Sequence, residues 1–308
     1  MNQKSITSLK ENTILQKKHH KRKIDIAIYL MTIPAVVLFA AFHTFPVLKG
    51  IYYSFTNWDG LSLDYKFVGL RNYLNLIGDK NVWNSYIFTF KFALVSTILV
   101  NIISLLLAMG LNTKIKFKNF FRAVYFLPNV LSILIVGFIF NYIFAYVIPA
   151  LGTKLGIELL KSNILGNQKF AWIGVVIVAV WQASALNTIL YLSGLQTVPE
   201  ELYEAASLDG ANKFQEFWNV TFPVIAPFFT INMVLAMKNF LMVFDHVMSL
   251  TSGGPGRATE SISLLIYRSG FAGGEFAYQS ANSVIYFMFI IIISVFQIKF
   301  LQKREMDM

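Results

Sequence analysis

The sequence predicts an all-α fold, a polytopic membrane protein with about six transmembrane helices. Three observations carry this. Hydrophobic residues make up 56% of the 308, and mean hydropathy is +0.58. Only 14% of residues are charged, where a soluble domain carries about a quarter. Long apolar runs recur, each enough as a helix for a hydrocarbon core of about 30 Å. The runs are continuous and do not alternate, so they read as helices and not as barrel strands. A soluble globular enzyme and a disordered chain are both excluded.

The candidate spans are 24–46, 86–110, 122–147, 170–192, 222–243 and 278–300. The first follows a basic tail, residues 1–23, that ends Lys17-Lys18-His19-His20-Lys21-Arg22-Lys23. Its apolar run is too long for a signal peptide and has no small-residue cleavage site after it, so it is expected to be an uncleaved helix starting in the cytoplasm. Six spans then leave both termini inside, with 301–308 as a second cytoplasmic tail. Lys114, Lys116, Lys118 and Arg122 on one expected inner loop, and Lys299, Lys303 and Arg304 at the end, agree with the positive-inside rule. Lys91 and Lys238 lie inside spans. For Lys91, near an outer end, snorkelling is a cheaper explanation than ligand binding. Asn101 reads as an interhelical hydrogen bond.

Absent residue types narrow the chemistry. There is no Cys, so disulfides, iron–sulfur clusters and thiolate zinc sites are excluded. The four His include no helical metal pair, and no metal site is expected. The net charge of +10 suggests a membrane surface in a chain this apolar. The aromatic residues sit within apolar runs, which offers nucleic acid no stacking platform.

One expected inner loop, 197–223, differs from the others. It reads TVPEELYEAASLDGANKFQEFWNVTFP. Pro199 suits a first helical turn, and Glu200 and Glu201 sit at the positive end of the helix dipole. Leu202, Ala205 and Ala206 form a narrow apolar face. Gly210 is placed to end the helix in a left-handed conformation. A second short amphipathic helix is expected over about 212–220, with Pro223 opening the fifth span. The loop is acidic, with Glu200, Glu201, Glu204, Asp209 and Glu216 against Lys213. Its small-residue face suits close approach by another protein.

Glu204-Ala205-Ala206-Ser207-Leu208-Asp209-Gly210, followed by Phe222-Pro223, resembles the EAA loop of ATP-binding-cassette importer permeases. The resemblance implies a coupling helix that docks on an ATPase subunit, with Glu204, Ala205, Ala206, Asp209, Gly210 and Pro223 as its coupling residues. Three other stretches are similar to the maltose-type carbohydrate branch, on the side of its MalF-like subunit. They are Phe67-Val68-Gly69-Leu70-Arg71-Asn72-Tyr73, Phe121 to Pro128, and Phe244-Asp245 with Leu250-Thr251-Ser252-Gly253-Gly254-Pro255 and Thr259. The resemblance covers roughly residues 25–300. It implies a bacterial plasma-membrane permease working by alternating access. It implies a second, MalG-like permease, two ATP-binding subunits and an extracytoplasmic solute-binding protein as partners. The chain lacks G-x-x-x-x-G-K-[ST] and has no phosphate cradle. ATP and Mg would therefore be bound by the partner, and no cofactor or catalytic residue is expected in this chain.

A solute path needs polar side chains inside spans, where they are costly and usually functional or interhelical. Trp181, Gln182 and Asn187 on the fourth span, and Asn232, Lys238, Asn239 and Asp245 on or beyond the fifth, are the candidates. For each, a helix–helix contact competes with a solute contact. If the helix continues, Lys238 and Asp245 lie two turns apart on one face. The positions that hold sugar in maltose permeases fall here on Ala236, Phe240 and Val243, which offer no hydrogen bond. The expected solute is a sugar or oligosaccharide. Alternatives are another solute such as a glycerol phosphate, and a membrane-embedded transferase, which would need an acid, base or metal constellation.

Overall fold

The computed structural model describes residues 29–113 and 116–306; the basic tail lies outside them. The described chain is helical and contains no strand, only an isolated bridge between Thr56 and Phe67. Six helices are long and apolar enough to cross a membrane: α1 (Tyr29–Tyr53), α3 (Lys80–Asn112), α5 (Ile133–Leu155), α6 (Ala171–Leu195), α8 (Lys213–Leu241) and α11 (Phe276–Met306). Between them lie α2 (Arg71–Gly78), α4 (Lys118–Val130), α7 (Glu200–Leu208), α9 (Asp245–Leu250) and α10 (Ile262–Ala272).

The centre is a stack of α3, α6 and α8. α3 and α6 share the most extensive contact, and α8 closes against both. α3 starts sharply because the Asp79 side chain accepts from the backbone N–H groups of Asn81, at 2.8 Å, and Val82, at 3.4 Å. At roughly 1.5 Å per residue it then runs about 50 Å, farther than a hydrocarbon core needs. Phe92 and Val100 of α3, Val175 and Val178 of α6, and Ala236 and Phe240 of α8 form one buried cluster. Ala108 and Leu111 of α3, Tyr191 and Leu195 of α6, and Ile225 of α8 form another. Ile225, Phe229, Asn232, Ala236 and Phe240 follow the spacing of one helix face, so Asn232 sits between the two clusters. Tyr191 donates to Oδ1 of Asn101 at 2.5 Å, the interhelical bond expected of Asn101. α1 is exposed along its length and rests on α11.

The third expected span, 122–147, is not one helix. The chain breaks at Leu131 and Ser132, whose ψ angles are 140° and 133°. Pro128 lies inside α4, where it removes a backbone donor and crowds the carbonyl one turn back. The crossing helix is α5, starting after the break. The separate helix expected over 212–220 is also absent. Lys213 to Leu241 is one continuous helix, capped by Asn212. Its Oδ1 accepts from the N–H groups of Phe214 and Gln215, and Gln215 Oε1 accepts from Asn212 N–H in return. Pro223 therefore lies within α8 and does not open it. At the other end α8 stops at Leu241, and Phe244, with φ −134° and ψ −60°, separates it from α9. Lys238 and Asp245 consequently do not share a helix face. Residues 301–306 of the expected tail continue α11.

Three of the crossing helices contain a π-helical turn just ahead of a proline. They are Ala40–Thr44 before Pro46, Ile143–Val147 before Pro149 and Phe217–Thr221 before Pro223. A proline cannot donate to the helix ladder and its ring collides with the preceding turn. Widening that turn removes the collision and keeps the axis running.

Candidate functional site

Two regions concentrate features that simple packing does not account for. The first lies at the end of the bundle where α3 and α6 run toward the 197–212 loop and α8 runs away from it; the second lies midway along the helices.

The first is α7. Pro199 stands at its N-cap with ψ 139°, which frees the helix to begin at Glu200. Gly210 ends it at φ +75°, where an L side chain is strained. Gly210 N–H donates to Ser207 O at 3.1 Å and Ala211 N–H to Ala206 O at 2.9 Å, a Schellman closure. Glu200, Glu201, Glu204 and Asp209 are exposed, and none is ion-paired among the described residues. Leu208 is 89% exposed and Phe214 72%. Ala205 is exposed, whereas Ala206 is half-buried. A polar bond ties the helix to the bundle: the hydroxyls of Tyr203 and Thr221 are 3.1 Å apart. Thr221 belongs to the π-turn preceding Pro223. Tyr203 also packs against the buried cluster that includes Leu195 and Val198. α7 is thus an acidic, largely uncovered helix attached to the start of α8. Tyr203 and Thr221 have no charge or motif to mark them, and the sequence reading missed them.

The second region is the mid-bundle. Gln182 Nε2 donates to Pro128 O at 3.2 Å and Leu131 O at 3.0 Å, and its Oε1 is 3.1 Å from His246 Nε2. Its amide is therefore taken up by protein groups at the α4–α5 break and at the start of α9. His246 drew no attention in the sequence beyond its failure to form a metal pair. Asn187 is buried and donates to Ala183 O one turn back. Asn232 is fully buried, and neither of its amide atoms has a partner among the described residues. Trp181 is 40% exposed and lies tilted against Phe140, with ring centroids 5.2 Å apart. It borders a groove of about 550 Å³ between α3, α4 and α6, lined by Leu99, Tyr125, Pro128 and Ser184 among others. Lys238 and Asn239 are exposed near the end of α8, and Asp245 is half-buried. Ala236, Phe240 and Val243 are buried in the core. The candidate path residues therefore divide: three point into the bundle and four retain exposed surface.

Two of the stretches that carry the family resemblance hold local structure. Asn72 donates to Ser54 O and Thr56 O, both at 2.8 Å, and Tyr73 meets the Ser54 hydroxyl at 2.7 Å. Thr259 donates to Gly254 O at 2.6 Å, closing the loop around Gly253, whose φ is +81°. Among the described residues no group of three or more His, Asp or Glu could hold a metal ion.

Six helices long and apolar enough to cross a membrane, two of them joined by an exposed acidic helix, define a multi-pass helical membrane protein. Residues 100–305 match the family described as the binding-protein-dependent transport system inner membrane component, and the chain belongs to that family. It is 41% identical to the multiple sugar-binding transport system permease protein MsmF of Streptococcus mutans, over 88% of this chain and 93% of that one. It is 38% identical to the probable starch degradation products transport system permease protein AmyD of Thermoanaerobacterium thermosulfurigenes, over 96% of this chain and 100% of the relative. A chain of a bacterial importer of the acidic polysaccharide alginate has the same fold. Its TM-score is 0.78, with 21% identity over 93% of this chain and 99% of that chain.

Proposed function

We propose that this chain is one of two unlike permease subunits of an ATP-driven importer for a sugar or oligosaccharide. The observation that carries the reading is α7, an uncovered acidic helix tied to α8 through Tyr203 and Thr221. The family and the sugar-transport names of its relatives support the solute class. The second permease covers the exposed apolar flank of the bundle, α1 included. Two ATPase subunits, which bind the ATP and Mg, sit against α7, and a solute-binding protein docks at the opposite end. Both termini lie in the cytoplasm, as the basic tail and the inner lysines favour.

In this reading, closure of the ATPases displaces α7. Glu200, Glu201, Glu204 and Asp209 offer the partner an acidic surface, and the Schellman turn at Gly210 holds the helix as a rigid unit. Movement passes through Tyr203 to the π-turn at the foot of α8, and α8 carries it into the core. Lys238, Asn239, Asp245 and Trp181 keep polar or aromatic surface available to solute, while Gln182 holds the helix breaks in register.

Co-purification from native membranes, followed by ATPase assays in liposomes with a panel of binding proteins and sugars, tests this. Recovery of a second permease and an ATPase, with hydrolysis stimulated by one sugar-loaded binding protein, is the expected result. A chain recovered without an ATPase would overturn it.

A further inference from the structure

We propose that the cleft between α3, the segment leading into α6 and the 253–260 loop binds an anionic group, a carboxylate or a phosphate. The cleft holds about 490 Å³ and lies at the end of the bundle opposite α7. Its cations are Lys91, Lys169 and Arg257, and Asn84, Gln168 and Trp172 complete the polar wall.

Lys91 is the informative residue. It stands about 16 Å along α3 from Lys80, at a depth where a charge is expensive unless it meets water or a partner. Its Nζ lies 3.8 Å from the centroid of the Trp172 ring. That contact holds the ammonium at the wall of the cleft that both residues line. Neither Lys91 nor Lys169 has a carboxylate partner among the described residues. Glu260 also lines the cleft and does not neutralise them. It is 1% exposed, its Oε2 takes Arg257 Nε at 2.6 Å, and its Oε1 takes Arg268 Nη1 at 3.3 Å. Arg257 is thereby fixed at the rim. The result is a pre-formed positive recess with amide donors beside it, the chemistry that holds carboxylate or phosphate. The group can arrive on an acidic sugar, a source that rests on the importer reading, or on an anionic lipid headgroup.

The test uses the full chain with its partner subunits in phosphatidylcholine nanodiscs. Saturation-transfer NMR compares digalacturonate with neutral galactobiose, and native mass spectrometry follows retained phosphatidylglycerol after its addition. Binding of the acidic sugar over the neutral one, or selective retention of the anionic lipid, is expected, and the two arms identify the source. Each of Lys91→Gln and Lys169→Gln should weaken that binding about tenfold, while the Lys91→Arg, Lys169→Arg protein retains it. Unchanged subunit assembly and Tm in the Gln variants exclude a folding defect. Equal signals for acidic and neutral sugars with no lipid retained, or full binding in the double Gln variant, would overturn the site. Failure of the importer reading would register separately, as absent sugar-stimulated ATPase in the unsubstituted complex.

Discussion

The side-chain oxygen of Gln182 lies 3.1 Å from Nε2 of His246, so one residue of α6 reaches the first turn of α9. The same amide donates to two carbonyls at the α4–α5 break. In a membrane, backbone groups freed by a helix break have no water to turn to. Replacing Gln182 by Met keeps the volume and leaves Pro128 O, Leu131 O and His246 each short of a partner. The expected cost is about 1–3 kcal/mol, read as a lower Tm of the complex in nanodiscs. A Tm equal to that of the unsubstituted protein would show the amide to be dispensable.

At Gly210 the backbone sets the cost, because a Cβ there meets nothing within 4 Å. Gly210→Ala should cost about 1–2 kcal/mol of α7 stability from the left-handed φ alone. Assembly should survive while solute-stimulated ATPase falls. Gly210→Asn, which tolerates this conformation better, should recover part of the loss. Full stimulation in the Ala protein would remove Gly210 from the coupling element.

The Tyr203–Thr221 contact predicts a non-additive pair. Tyr203→Phe and Thr221→Val each remove a hydroxyl and should each cost about 0.5–1.5 kcal/mol. The double substitution should cost little more than either one. Transport per ATP hydrolysed should fall equally in all three. Additive losses would mean that the hydroxyls act apart.

Asn232 predicts a gain. A fully buried amide without partners carries its desolvation cost uncompensated. Asn232→Leu should therefore raise Tm, by roughly 1–3 kcal/mol of stability at most. A fall would show that the amide is paired in the assembled transporter.

Legibility followed the type of signal. Hydropathy gave the number of crossings and the approximate place of all but the third, because each span is a run longer than any buried soluble helix needs. Gly210 was readable from its place after a capped periodic segment, and the structure gives it the left-handed φ expected. The break at Leu131-Ser132 was not, since those residues are as compatible with a helix as their neighbours. Pro128 was a visible warning, yet prolines at 46, 149 and 223 do not interrupt their helices. The halt at Leu241 was hidden for the same reason, and with it went the shared face of Lys238 and Asp245. Contacts such as Lys91 on Trp172 and Gln182 on His246 join distant segments, and only the packing of α3, α6 and α9 brings them together.

The prolines bear on more than bending. A widened turn accommodates one residue more than an α-helical turn, which advances everything after it by about 100° around the axis. In α8 the extra residue lies between the foot that meets α7 and the face carrying Ile225, Asn232 and Phe240. Deleting one residue there would leave both halves collinear while swinging the Asn232 face about a quarter-revolution out of the core. Each of these three helices is in effect two rods clocked against each other by a single peptide unit, so its azimuth can change by about 100° while its length changes by only about 1.5 Å.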